Sequence, residues 1–447
     1  MNAAYLEFLY NLGQFNIKLG LSTIREMLNR MGNPHHHPRI IHIAGTNGKG
    51  STLATIEQLL LDTGFTTGST ISPHLISFNE RFRICGKSVT DEDLDYAFER
   101  ICRSCDIDLD LTKPESRDGS ISPTFFEFAI ALAFEVFRSH KVDFIILETG
   151  LGGRLDATNV VENPLACILT RIGYDHQEFL GETLEEITWE KMGILKTNSP
   201  VFVTQQLERV KQVIKNHCLE TGIKAFFSPE HFSADYSDVS HETIYHLVVR
   251  NHKNYTIPLE IPVPSQSLAG DHQKHNTATA LALYHSIIPE GRWLSKDRII
   301  MSLQNVTWRG RLEYLDESKR ILLDAAHNES SIQSLFDFLK QQHHDQRILF
   351  AIGWKKDKQI ADVIDLNGLH HVEFLPIIQK NEKALDADKV LELLTDMNFS
   401  TLQAIDITEL IAGVAKESLP EHDLLVIAGS IYLLGEFLEQ WQTPQHH

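Results

Sequence analysis

Ile40-Ile41-His42-Ile43-Ala44-Gly45-Thr46-Asn47-Gly48-Lys49-Gly50-Ser51-Thr52 decides the reading of this chain, because an apolar strand runs straight into a Gly-Lys-Gly turn. A strand, a glycine-rich loop and a helix start together make a cradle of backbone N–H groups for phosphate. Gly45, Gly48 and Gly50 let the backbone approach closely, Lys49 supplies a point charge, and Ser51 or Thr52 opens a helix over 51–63. The pattern departs from G-x-x-x-x-G-K-[ST]. Its first glycine falls on Ile43, and Gly50 separates Lys49 from the hydroxyl residue. A chance glycine turn after a strand is the bland alternative. Strand, glycines, lysine and hydroxyl arriving in order favour a nucleotide site, with Asn47, Gly48, Lys49, Gly50 and Ser51 against the nucleotide.

Around this loop the chain has ordinary globular composition, 42% hydrophobic and 23% charged, and its 447 residues exceed one ordinary core. Two domains are expected. The formal charge, 41 − 60 = −19, argues against nucleic acid and anionic membrane surfaces as partners. An anionic substrate remains open, since a local basic pocket overrides a global field. No segment reaches the roughly 18 consecutive apolar residues of a membrane helix, and Glu7 interrupts any leader pattern early. A cytoplasmic location is expected. Five cysteines suit a reducing compartment. Cys102 and Cys105 have zinc-like spacing without a second pair, and read as a helix-to-loop segment. His35-His36-His37 reads as a solvated loop, and His446-His447 as a polar tail or an expression remnant.

Strands and helices alternate as a parallel sheet requires. Strands are expected at 40–44, 66–71, 142–148, 165–170 and 200–204, and helices at 91–102, 124–139 and 183–194. Thr90 is a candidate N-cap. The stretch 104–120 is polar and without periodicity, whereas 243–264 alternates as antiparallel strands do. Helices at 276–288 and near 296–304 follow. A second α/β domain begins after Trp308, with strands at 321–324, 347–352 and 424–429 and a helix at 330–341.

Three strand ends carry chemistry. Glu148 closes an apolar strand and precedes Thr149-Gly150-Leu151-Gly152-Gly153, so its carboxylate points into the crevice where parallel sheets bind ligands. Its natural work beside a nucleotide loop is Mg²⁺ coordination, and the plain alternative is an acid capping a neighbouring amide. His176 follows the next buried strand, as a ligand or as a structural hydrogen-bonder. Lys191 lies in Glu190-Lys191-Met192-Gly193-Ile194 and by itself reads as one more helix-surface lysine.

Gly45-Thr46-Asn47-Gly48-Lys49-Gly50-Ser51 resembles the loop of the Mur ligase superfamily, in its folylpolyglutamate synthase/dihydrofolate synthase branch. Residues 148–159 resemble that branch's second signature, and further matches run in order along almost the whole chain. The resemblance implies an α/β fold: a P-loop-containing Mur-ligase-type domain over 1–306, a linker over 307–311 and a Rossmann-like C-terminal domain over 312–447. It implies ATP, two Mg²⁺ ions, L-glutamate, and dihydropteroate or a reduced folate as acceptor, in a monomer. Ser72, Glu148, His176 and Lys191 would be metal ligands, with Lys191 carbamylated. Carbamylation needs a neutral amine, so the site must lower the lysine pKa from about 10.4.

The acceptor side would be Leu19, Gly20 and Leu21 (after Lys18, where an acid is common), Thr124, Phe125 and Phe126, and Leu155, Asp156 and Ala157. Phe125 and Phe126 read equally as helix core. Asn276, Arg311 and Asp324 would contact ATP, and His327 in Asp324-Ala325-Ala326-His327-Asn328 would reach the phosphates across the cleft. Arg309 stands where the family's linker proline is usual. Gly353-Trp354-Lys355-Lys356-Asp357-Lys358 and Gly429-Ser430 complete the likeness. The implied reaction is ATP-dependent addition of glutamate to a folate carboxylate through an acyl phosphate. A peptidoglycan Mur-type ligase is the alternative, but there Ser or Thr usually follows the lysine directly, without Gly50.

Overall fold

The computed structural model describes residues 1–13, 20–107, 121–250, 256–315, 317–356 and 363–442, with only the backbone at 249, 250, 256 and 257. Lys18, Leu19, Asp357, Lys358, His446, His447 and most of the 104–120 stretch lie outside the described residues. The chain divides into two compact units, Met1–Ser267 with Lys274–Val306, and Leu268–Gln273 with Thr307–His447.

The first unit is built on eight strands: β1 (Ile40–Ala44), β2 (Thr67–Thr70), β3 (Phe82–Ile84), β4 (Lys87–Ser88), β5 (Phe144–Glu148), β6 (Ala166–Leu169), β7 (Val201–Val203) and β8 (Ala225–Phe227). Their order is β4-β3-β2-β5-β1-β6-β7-β8. β1 is central and pairs in parallel with β5 and β6. All three strands are buried at every position, which is why they read as unbroken apolar runs. The hairpin strands β3 and β4 form one edge, antiparallel to β2.

Helix starts follow local chemistry. Thr90, Thr124 and Thr183 each close a capping box with an acid three residues on, opening helices Asp91–Cys105, Phe125–His140 and Leu184–Met192. The alternating stretch is a small antiparallel sheet of β9 (Phe232–Ser237), β10 (Glu242–Arg250) and β11 (Thr256–Val263). Pro258 and Pro262 sit on β11, an edge strand, where a missing N–H is tolerated.

Several sequence expectations are corrected. The histidine run is not simply solvated: His35 is buried and packs edge-on to Phe134, and burial pushes its pKa down to about 4. The helix expected from 276 begins at Asp271, so Asn276 lies inside its second turn. Helices Ser22–Arg30 and Glu208–Thr221 were not anticipated. All five cysteines are free, and Cys102 and Cys105 are buried in the last turns of one helix.

The second unit carries β12 (Glu313–Tyr314), β13 (Ile321–Leu323), β14 (Arg347–Ile352), β15 (His371–Ile378), β16 (Ile405–Asp406) and β17 (Leu424–Ala428), in the order β12-β13-β17-β14-β15-β16. All but β12 are parallel, the pattern expected of a Rossmann-like sheet. Phe336, Phe350, Phe374 and Trp354 anchor its core. Among the described residues, no helix is long and apolar enough to cross a membrane.

Candidate active site

The loop after β1 is held from both sides. Thr46 and Asn47 give their amides to the Arg171 carbonyl at 2.9 and 3.1 Å. Thr46 Oγ1 donates to the Gly173 carbonyl. Gly48, at φ +88°, turns the chain into helix Lys49–Asp62, and a Cβ there would lie 2.4 Å from Asn276 Oδ1. The sequence-predicted loop residues and Asn276 are therefore brought together. The first turn of the helix has no carbonyls of its own for its amides, which suits phosphate.

Two lysines meet at one carbonyl. Lys49 Nζ donates to the carbonyls of Gly45 and Thr46 at 3.2 and 3.1 Å and stands 3.9 Å from Glu148 Oε1. Lys191 Nζ, buried, donates to the same Gly45 carbonyl at 2.9 Å. Burial first, then the Lys49 charge, lower the Lys191 pKa from 10.5 to about 7, against the opposing pull of Asp175 and Asp156. A substantial fraction of Lys191 is thus neutral near pH 7. Lys191 is no helix-surface lysine, because its helix packs this face inward. Asp175 is a member of the group that the sequence reading passed over beside the more conspicuous His176.

His176 begins the short helix Gln177–Leu180 at φ 51°, with Nε2 3.7 Å from Asp175 Oδ1. Ser72 lies just beyond β2 in a cis Ser72–Pro73 bond. Among the described residues, no three His, Cys, Asp or Glu side chains stand close enough to enclose a metal ion. Mg²⁺ needs less than that, since it keeps several waters and shares substrate phosphates. The buried Glu148 carboxylate is a hard oxygen donor of the right kind. Thr70 Oγ1, at the end of the strand beside β5, is buried without a hydrogen-bond partner.

The glycine-rich turn after β5 is organised by Asp156. Its Oδ2 accepts from the amides of Gly150 and Leu151 at 2.9 and 2.8 Å, and its Oδ1 from Thr158 N and Oγ1 at 3.0 and 2.5 Å. Burial raises the Asp156 pKa, while these donors pull the other way. Leu155 and Ala157 flank it, Ala157 buried. A Cβ on Gly150 would come within 2.6 Å of the Phe126 ring.

Phe125 belongs to the core, stacked on Tyr10 and edge-on to Phe78. Phe126 is only partly buried. The Thr124 hydroxyl is engaged in its capping box with Glu127. Gly20 and Leu21 lead into helix Ser22–Arg30, with Leu21 packed on the same core.

In the second unit, Asp324 at the end of β13 is buried and accepts from the amides of Leu312 and Ala326, both at 2.8 Å. Burial raises its pKa, opposed first by the neighbouring Arg311. His327 Nδ1 lies 2.7 Å from the Ala325 carbonyl and donates to it.

Residues 115–284 match the Mur ligase middle domain, and residues 311–440 match the dihydrofolate synthetase C-terminal domain. A dihydrofolate synthase/folylpolyglutamate synthase of Bacillus subtilis (strain 168) is 34% identical over 374 residues, 78% of this chain and 79% of its own length. The structure of E. coli FolC in complex with DHPP and ADP superposes with a TM-score of 0.81 at 27% identity, covering 98% of this chain and 97% of that one. The bifunctional folylpolyglutamate synthase/dihydrofolate synthase of Yersinia pestis, complexed with AMPPNP and Mn ion, gives 0.79 at 28% identity, covering 98% and 97%.

Proposed function

The chain belongs to the dihydrofolate synthase/folylpolyglutamate synthase family, and we propose from that premise how its own residues perform the reaction. The protein is an ATP-dependent ligase that joins L-glutamate to a pterin or folate carboxylate through an acyl phosphate. The observation that carries the residue-level reading is the meeting of Lys49 and Lys191 at the Gly45 carbonyl, within 3.9 Å (for Lys49) of Glu148. The Lys49 cation at a glycine loop favours a polyanion; the acid beside it favours one carrying a divalent cation.

In this reading Lys49 and the amides of residues 48–51 hold the terminal phosphates of ATP, and preorganised donors there stabilise the charge that builds during transfer. Asn47 and Asn276 line the nucleotide. Glu148, Ser72 and His176 would be the protein ligands of two Mg²⁺ ions, together with Lys191 as a carbamate. Bound Mg²⁺ would supply charge neutralisation at the phosphates. The depressed pKa of Lys191 supports carbamylation, because CO₂ adds only to the free amine. Gly20, Leu21, Leu155, Asp156, Ala157 and Phe126 form the acceptor side, with Leu19 on the same loop by sequence. Thr124 and Phe125 act there indirectly, since one caps a helix and the other fills the core. Arg311, Asp324 and His327 of the second unit assist ATP.

The test is ADP release by the full chain. Turnover should require L-glutamate together with either dihydropteroate or tetrahydrofolate, in a reducing buffer typical of cytoplasm. Turnover with only one of the two acceptors would restrict the enzyme to one activity. ADP release indifferent to both would overturn the reading.

A further inference from the structure

His42 occupies the middle of β1, opposite Leu147 of β5 and Cys167 of β6. It is fully buried, and burial, with a smaller push from Lys196, lowers its pKa to about 3, so the ring is neutral. Nε2 lies 2.8 Å from Thr158 Oγ1. The hydroxyl hydrogen of Thr158 goes to Asp156 Oδ1, so Oγ1 has only lone pairs to offer the imidazole. Nε2 therefore carries the proton and donates it. Nδ1 is left as a buried acceptor without a hydrogen-bond partner. That arrangement is a poor way to fill a core, where an aliphatic side chain leaves no polar atom unsatisfied. The strand neighbours Ile41 and Ile43 are of that kind.

The hydrogen bonds lead outward from the core to the site. His42 steadies Thr158, Thr158 steadies Asp156, and Asp156 holds the amides of Gly150 and Leu151. The held turn follows Glu148 by two residues, and Gly150 lies so close to Phe126 that a single carbon would not fit between them. A small displacement of the turn would press on that ring.

We propose that His42 is a positioning residue for the acceptor: through Thr158 and Asp156 it fixes the Gly150–Leu151 turn against Phe126. The proposal rests on the ligase reading above. Four full-length variants test it: His42→Leu, His42→Gln, Thr158→Val, and the double variant His42→Leu/Thr158→Val. Their KM values for acceptor, ATP and L-glutamate are measured by ADP release, alongside thermal midpoints.

His42→Leu and Thr158→Val should each raise the acceptor KM roughly tenfold or more and leave the ATP KM within about twofold. Glutamine can present its amide N–H where Nε2–H stood, so His42→Gln should stay near wild type. The double variant should be no worse than Thr158→Val alone, because both act through one chain of bonds. The midpoint of His42→Leu should not fall. A merely structural role would instead lower the midpoint and leave the ratio of the KM values unchanged. Unchanged acceptor KM in both single variants, or losses spread equally over all three substrates, overturns the relay. Should His42→Leu fail to fold, the Thr158→Val comparison of acceptor and ATP KM decides alone. Active wild type with unaffected variants sinks the relay only, whereas wild type without glutamate-dependent turnover sinks the ligase reading and the relay with it.

Discussion

Lys191 and Lys49 share the Gly45 carbonyl, so each ammonium is stabilised by a dipole and destabilised by its neighbour. The buried one yields. With a folded pKa of about 7 and an unfolded value near 10.4, the folded chain binds fewer protons than the unfolded chain between those limits. Stability must therefore rise with pH across that window, by at most about 1.4 kcal/mol per unit, and the full deficit is present below pH 7. In CO₂-free buffer, wild type should gain stability relative to Lys191→Met between pH 7 and 10, followed by urea denaturation. A difference that stays flat would mean that Lys191 remains charged. Lys49→Ala removes a nearby cation that lowers the Lys191 pKa, so it should move the start of this window upward. The same variant should lose roughly 10²–10³-fold in kcat/KM for ATP, the usual cost of a missing charge-stabilising donor. Turnover equal to wild type would remove Lys49 from phosphate binding. The sequence makes Lys49 legible, since it stands in a glycine loop. Lys191 is legible only by family likeness, because nothing local distinguishes a lysine whose helix turns it inward.

At the scale of elements, the Gly48 loop and the Gly150 turn depend on absent side chains. Gly48→Ala would force a left-handed conformation worth about 1–2 kcal/mol and drive a carbon into Asn276. It should raise the ATP KM and lower the melting temperature together. Gly150→Ala meets the Phe126 ring instead, so it should raise the acceptor KM and spare ATP, measured by the same ADP-release assay. Equal effects on both substrates would contradict the separation of the two elements. The central elements were legible because β1, β5 and β6 are buried on both faces and so are written as apolar runs. Thr90 marked one helix start as a candidate N-cap, whereas the capping boxes at Thr124 and Thr183 are seen only in the structure. Elements at the margins were not legible. Helix Ser22–Arg30 buries only Ile24, Met27 and Leu28, a stripe too short to stand out. His35 was misread because its burial comes from Phe134, a residue distant in sequence. Asp156 stands out in the sequence by family likeness, but its bonds to the amides of Gly150 and Leu151 are a property of the folded turn.

For the whole molecule, the expected ATP residues are divided between two units with separate cores. Lys49 and Asn276 belong to the first unit, Arg311, Asp324 and His327 to the second. The second unit takes in Leu268–Gln273 together with Thr307–His447, and nothing in the sequence pattern marks the shorter piece. That short segment is joined to it only by tertiary packing, as with Ala269 against the second core. The division makes Asp324 and Arg311 unequal as probes. Asp324 accepts two backbone amides, so Asp324→Ala leaves both without their partner and should cost the second unit about 1–3 kcal/mol, whatever its part in catalysis. Arg311 Nη1 bonds the carbonyl of the adjacent Gly310 at 3.2 Å, a lesser structural commitment. Arg311→Ala should therefore raise the ATP KM about tenfold or more, the cost of losing a hydrogen bond to a charged group, with a smaller fall in thermal midpoint than Asp324→Ala, arising from the lost charge beside the buried Asp324 carboxylate. Its acceptor affinity, measured without nucleotide, should match wild type, because the residues proposed for the acceptor lie in the first unit. An unchanged ATP KM in that variant would mean that Arg311 contributes nothing to nucleotide binding, and would leave the first unit's loop to hold ATP without it.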